Sequence, residues 1–202
     1  SEIEPNAIKA HNLLFPQWAD RNFGDISKID WRKVADFDFF TYSSPCTDFS
    51  TAGLQRGGEE GSGTRSSLLW ECRRAIVSKR PAYCMLENVK ALVSKKFLPL
   101  FQKWCDELEC YGYTNYWQVL NAKDYGVPQN RERVFLISVR KDMADCFPYG
   151  YKFPKPFPLE RHLEDVLEPE CDVPRSYYIS EKSKAYFSEH CDIDMIKLLG
   201  DV

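Results

Sequence analysis

The sequence predicts an α/β protein built on a mostly parallel open sheet with helices on both faces. Three observations carry this. The chain has 202 residues of which 44% are hydrophobic, enough to bury one full core. Short aromatic or apolar runs alternate along it with stripes of helical period. Proline or glycine separates many of these runs, so each element has a marked end.

Pro5 fits a first helical turn, and Ala7, Ile8, His11 and Leu14 follow at helical spacing, which predicts a helix that stops before Pro16. A strand is expected near Asp36 to Tyr42, where Phe37, Phe39, Phe40 and Tyr42 supply aromatic β-propensity, and Ser44-Pro45 ends it. Thr47 to Arg65 holds five glycines and is too long for an ordinary turn; it is expected to be the most mobile part of the first 140 residues. Leu68, Leu69, Cys72, Ala75 and Ile76 form an amphipathic stripe that Pro81 terminates. Ala82 to Leu86 reads as a strand, and the stripe of Phe97, Leu98, Phe101, Trp104, Cys105 and Leu108 as a helix closed by Gly112. Strands are expected again at Tyr113 to Leu120 and Val134 to Val139. Beyond Arg140 six prolines break the periodicity and suggest a connector.

With 27 Lys and Arg against 30 Asp and Glu the chain is not a basic coat, so nucleic acid would have to be met by a local patch. Residues 51–100 supply one, with nine basic against four acidic residues, whereas residues 151–202 carry seven against eleven. No apolar run approaches the ~20 residues that cross a bilayer, and Ser1-Glu2-Ile3-Glu4-Pro5 is unlike a signal peptide, so a cytoplasmic protein without a membrane partner is expected. The eight cysteines form no CxxC pair; buried, reduced thiols are expected, with no metal site. A chain that opens on Ser1 and runs almost at once into a helix is expected to be a segment of something longer.

In a doubly wound sheet ligands gather beyond the carboxyl ends of the strands. Three segments stand at such places: Ser44-Pro45-Cys46-Thr47-Asp48-Phe49-Ser50, Glu87-Asn88-Val89, and Asp124 to Arg133. Singly each has an ordinary explanation, a buried thiol, a solvated glutamate and surface arginines. Together a thiol nucleophile, a carboxyl acid and two guanidinium groups make a site able to attack an electron-poor ring.

In this order, Pro-Cys-x-x-Phe-Ser at 45–50, Glu-Asn-Val at 87–89 and Gln-x-Arg-x-Arg at 129–133 resemble the fourth, sixth and eighth motifs of the cytosine-C5 DNA methyltransferases. The resemblance covers about residues 1 to 140 and implies a Rossmann-like S-adenosylmethionine-dependent methyltransferase sheet, incomplete at both ends. It implies that Cys46 attacks C6 of a flipped cytosine and that Glu87 hydrogen-bonds the ring at N3, a task that calls for a retained or shared proton. Arg133 would hold the cytosine O2, and Arg131 the base or its phosphate. Pro45, Ser50, Asn88 and Gln129 fall in the substrate-facing motifs, Asn88 more as a brace for Glu87, while Arg56 and Arg65 offer phosphate contacts.

For the cofactor, the resemblance implies that Glu2 accepts hydrogen bonds from ribose hydroxyls, that Ile3 packs on adenine, and that Asp25 faces the adenine amine with Ile26 beside it; Leu68 would line the same pocket. Thr47 stands where the family often has glutamine. The glycine-rich first motif would precede Ser1, and the target-recognition region would follow Val202. A catalytic core over 1–145, with 146–202 as connector and lead-in, is the expected division. The expected partner is DNA, possibly together with a completing chain. Transfer RNA as substrate, or a non-catalytic fragment that binds DNA or such a chain, are the alternatives.

Overall fold

A computed structural model describes residues 1–45, 58, 60–160, 165 and 167–190. The chain divides into two compact units, Ser1–Glu160 and Arg161–Val202.

The first unit carries a four-stranded sheet of β1 (Phe39–Tyr42), β2 (Tyr83–Val89), β3 (Tyr113–Asn121) and β4 (Glu132–Arg140), in the order β1-β2-β4-β3. Its helices are α1 (Pro5–Leu14), α2 (Leu69–Lys79) and α3 (Leu98–Cys110). The α/β class is the expected one. The strand directions differ from the expected mostly parallel sheet: β1 and β2 are parallel, but β4 runs antiparallel to both β2 and β3. No helical stripe separates β3 from β4, so the chain turns back as a hairpin, and a hairpin is necessarily antiparallel. The connections from β1 to β2 through α2 and from β2 to β3 through α3 join strands that run the same way, as helical crossovers do.

The strand boundaries move by a few residues. β1 begins at Phe39, not Asp36, and Arg65–Leu68 is a 3-10 turn leading into α2. Arg80 ends α2 in the left-handed conformation, φ 50°, just before Pro81. Gly112, at φ 84°, turns the chain from α3 into β3.

Alternation along β2 sends Cys84, Leu86 and Asn88 to one face and Tyr83, Met85 and Glu87 to the other. On the first face Cys84 and Leu86 join Val134 and Leu136 of β4, Leu69, Cys72 and Ile76 of α2, and Phe101, Trp104 and Leu108 of α3 in one buried core. The polar atoms there are paired: Trp104 Nε1 donates to Tyr42 Oη at 3.0 Å, and Tyr113 Oη donates to the Pro81 carbonyl at 2.7 Å. Both α2 and α3 thus serve this face, whereas α1 buries no residue. On the opposite face, aromatic residues after β4 meet the sheet, Phe147 edge-on against Tyr83 and Tyr151 tilted at 52° against Tyr116.

In the second unit, 3-10 turns at Glu170–Asp172 and Arg175–Tyr177 precede α4 (Glu181–His190). Ser180 caps α4, its Oγ accepting from Ser183 N at 3.2 Å. Among the described residues no helix is long and apolar enough to cross a membrane.

Candidate active site

The topology brings the three sequence motifs to one end of the sheet. β1 and β2 are parallel, with Tyr42 beside Leu86, so Ser43-Ser44-Pro45 leaves β1 next to Glu87-Asn88. β4 enters at the same end, with Arg133 opposite Val89 and Phe135 opposite Glu87. Residues Cys46, Ser50 and Arg56, and most of the glycine-rich stretch after Cys46, lie outside the described residues. The Arg65 backbone opens the turn before α2, and its side chain is likewise outside them.

Glu87 and Arg133 share a face of the sheet, and Arg133 Nε lies 3.0 Å from Glu87 Oε1. Their side chains are 36% and 22% exposed, so the pair is reachable from solvent and partly desolvated. A second guanidinium nitrogen of Arg133, Nη1, donates to the Glu132 carbonyl at 2.8 Å and fixes the plane of the group. Asn88, one residue on, points to the other face and is 2% exposed. Its amide donates to the Ser44 carbonyl at 3.1 Å and to Ser44 Oγ at 3.3 Å. Asn88 therefore ties the end of β2 to the segment leaving β1, immediately before Pro45. The Pro45 carbonyl accepts from Ser66 Oγ at 2.5 Å, which fastens the same segment to the turn before α2.

Arg131 is exposed and precedes β4. Its backbone is fixed from both sides: Arg131 N donates to Asn121 Oδ1 at 3.0 Å, and its carbonyl accepts from Ala122 N at 3.1 Å. Gln129 is also exposed, with its N–H on the Val127 carbonyl at 2.7 Å. Asn121, absent from the expected site, closes the neck of the hairpin loop, its Nδ2 donating to Asn130 Oδ1 at 2.7 Å. Its signal in the sequence is its place at the head of Asn121 to Gln129, a segment that resembles the lead-in to the family's eighth motif.

Of the expected cofactor residues, Glu2 is held directly by Asn22, which also bonds Gly24 just before Asp25. The Glu2 carboxylate accepts from Ile3 N at 2.8 Å and Glu4 N at 2.9 Å, both on Oε1, and these backbone donors hold its pKa below the ordinary value. Asn22 Oδ1 accepts from Glu2 N at 2.9 Å and Gly24 N at 3.1 Å, while Asn22 Nδ2 donates to the Glu2 carbonyl at 2.8 Å. One side chain thus joins Glu2-Ile3 to Gly24-Asp25. Asp25 caps the following 3-10 turn by accepting from Ser27 Oγ at 2.7 Å and Ser27 N at 3.0 Å, which lowers its pKa. Arg74 of α2 holds that turn from below, donating to the carbonyls of Ser27 at 2.8 Å and Ile29 at 2.9 Å. Ile26 packs against the core, Leu68 is half-buried, and Ile3 is exposed. A cavity of about 400 Å³ opens beside Glu2, lined among others by His11, Trp18, Arg21 and Asn22; Ile3, Asp25, Ile26 and Leu68 do not line it. Asn22 and Arg74 escaped the sequence reading because one looks like a loop asparagine and the other like a solvated helix residue.

Of the six other thiols among the described residues, Cys72, Cys84 and Cys105 are buried, but Cys110, Cys146 and Cys171 are exposed, so the expected burial of most thiols does not hold there. Burial pushes the pKa of Cys72, Cys84 and Cys105 up to about 12, which leaves them protonated and unreactive at neutral pH.

The open α/β sheet carries a carboxylate–guanidinium pair, Glu87 and Arg133, at the end where the hairpin arginine Arg131 leads into β4, and comparison with known proteins gives the class of protein. The family model of the C-5 cytosine-specific DNA methylases matches residues 1–192, and the chain belongs to that family. It is 51% identical over 171 residues to the type II methyltransferase M2.ScrFI of Lactococcus lactis subsp. cremoris, spanning 85% of this chain and 46% of that protein. It is 44% identical over 149 residues to the orphan methyltransferase M.SssI of Spiroplasma monobiae, spanning 72% of this chain and 38% of that one. The chain therefore spans less than half the length of these two relatives. The solved structure of the Entamoeba histolytica methyltransferase EhMeth shares the fold, with TM-score 0.69 at 17% identity over 95% of this chain and 57% of its own. So does DNMT2 of Spodoptera frugiperda, with TM-score 0.68 at 20% identity over 92% of this chain and 56% of its own.

Proposed function

We propose that this chain carries the chemistry of a DNA cytosine-C5 methyltransferase that works through a covalent Cys46 adduct and takes its methyl group from S-adenosylmethionine. The observation that carries the reading is the Glu87–Arg133 pair at the sheet end, reached on one side by the segment that leads into Cys46 and on the other by the hairpin that leads out of Arg131.

In this reading Cys46 Sγ, as thiolate, forms a bond to C6 of an extruded cytosine, and the ring's electrons shift towards C5 and N3. Glu87 supplies a proton or hydrogen bond at N3 to offset that charge, and Arg133 grips O2. Their mutual ion pair keeps both groups oriented before the base arrives. Arg131 contacts the base or its phosphate, and Asn88 holds β2 in register with the Pro45 segment. Once C5 carries the methyl group, its proton passes to water, the C5–C6 double bond re-forms, and the Sγ–C6 bond breaks to return Cys46 as the thiolate. Ser50 and Gln129 complete the substrate side, with Arg56 and Arg65 on phosphates.

S-adenosylmethionine, when bound, supplies the electrophilic methyl group. The residues present fit it: the two backbone donors to Glu2 both use Oε1, and among the described residues Oε2 takes none, which leaves an acceptor for a ribose hydroxyl. Asp25 supplies an acceptor for an exocyclic amine, and Ile3, Ile26 and Leu68 supply apolar surface. Residues 1–145 carry the chemistry in this reading, and residues 146–202 lead from it towards target recognition.

The test is transfer of labelled methyl from S-adenosylmethionine by the full-length protein that contains this chain, to duplex DNA and in parallel to total transfer RNA. Label on DNA at cytosine C5 is expected. Label confined to transfer RNA would move the substrate, and none on either would overturn the reading.

A further inference from the structure

We propose that Phe157 is a positioning residue for the β3–β4 hairpin loop, holding the tip of the loop that carries Gln129 and Arg131 and leads into Arg133 at the start of β4. The inference rests on the roles given above to those residues, but its structural part stands on contacts alone.

The hairpin loop is secured at two places. At its neck Asn121 accepts from Arg131 N and Ala122 N donates to the Arg131 carbonyl, as described. At its far end the backbone of Tyr125 pairs with that of Phe157 in a parallel bridge, and Phe157 N donates to the Asp124 carbonyl at 3.0 Å. The rings meet edge to face, 6.0 Å between centroids at 89°, and Tyr125 Oη donates to the Pro154 carbonyl at 3.0 Å. Gly126 completes the fit. It adopts φ 79°, and a Cβ built there would lie 2.9 Å from Phe157 Cε2. The turn thus needs glycine both for its backbone and for the ring against it.

The flanking Pro154, Pro156 and Pro158 help in a simple way. Prolines restrict the segment to an extended backbone before binding, so less conformational entropy is lost when Phe157 docks. Without this clasp only the neck would restrain a loop whose side chains must meet a base within a fraction of an ångström.

Two measurements on the full-length protein decide the matter. Hydrogen exchange reads the clasp without reference to activity: Phe157→Ala should raise exchange across residues 124–131 and leave β2 protected, and Phe157→Tyr should not. Unchanged exchange in Phe157→Ala, or a rise across the whole sheet, overturns the clasp. Methyl-transfer kinetics reads its purpose: Phe157→Ala should lower kcat by about tenfold to a hundredfold with the KM for S-adenosylmethionine unchanged, and Phe157→Tyr should restore it. Gly126→Ala should cost more in the native background than beside Ala at 157, because removing the ring removes the clash. A normal kcat in Phe157→Ala, or equal additive losses in that cycle, overturns the positioning role. If the native protein methylates no nucleic acid, the proposed function fails, and the exchange result alone decides the clasp.

Discussion

Glu87 and Arg133 come from segments far apart in the chain, yet β2 and β4 place Arg133 Nε 3.0 Å from Glu87 Oε1 on the open face of the sheet. Diagonal neighbours on one face of an antiparallel pair are within reach of a long side chain, and the arginine spans that gap. The exposure of both groups limits what the pair contributes to stability to about 1 kcal/mol or less. Its more important consequence is orientation, since each group is held ready by the other.

Glu87→Gln should therefore slow methyl transfer by about a hundredfold or more while DNA affinity changes little, because the side chain acts on the ring during attack. An amide can still accept from Arg133, so the fold should survive. Single-turnover rates and equilibrium DNA binding on the same preparation check this. Equal losses in both would make Glu87 a structural brace.

DNA containing 5-fluorocytosine should become covalently trapped on the full-length protein, since fluorine at C5 blocks the elimination that frees the thiol. Cys46→Ser should abolish the adduct and Cys72→Ser should leave it. Cys72 is the apt control because burial keeps its thiol protonated, with a pKa of about 12. Trapping that persists in Cys46→Ser would sink the nucleophile assignment.

Arg74→Ala should weaken S-adenosylmethionine binding by about tenfold with little effect on DNA binding, because it removes the two donors that hold the Ser27 and Ile29 carbonyls and hence the turn carrying Asp25 and Ile26. Titration calorimetry with the cofactor, beside DNA binding by anisotropy, separates the two. Unchanged cofactor affinity would show that the turn holds itself.

Alkaline pH should destabilise the protein through its buried thiols. Cys72, Cys84 and Cys105 have folded pKa values raised to about 12 by burial, against an ordinary value of 9.0. A raised folded pKa means a contribution fully present below about pH 9 and lost as pH climbs towards 12, because the unfolded chain ionises first. Urea midpoints measured from pH 7 to 11 should be level at first and fall above pH 9. Replacing Cys84 by Ala should make that fall shallower; an identical slope would show that its burial does not persist in solution.

The elements with a helical stripe were legible in the sequence. The stripe from Leu68 to Ile76 and that from Phe97 to Leu108 became α2 and α3, each helix starting one residue later than its stripe, because a one-sided apolar pattern needs only its own spacing to choose a helix. The motifs that carry Cys46, Glu87 and Arg133 were legible for the same reason: each is a local string, and their order along the chain identifies the family. Tertiary structure decided which strands pair and in which sense. β4 lies between β2 and β3 and antiparallel to both, a choice set by a hairpin return and by burial of Val134 and Leu136 against α2 and α3. It also decided the partners of isolated polar side chains, Asn88 on Ser44, Asn22 on Glu2 and Arg74 on the Asp25 turn. Such residues have no period and no neighbour in sequence to announce them. The partner of Asn88 is fixed when folding removes water around it and a buried donor must find an acceptor, whereas Asn22 and Arg74 stay in reach of solvent and take the partners that folding brings beside them.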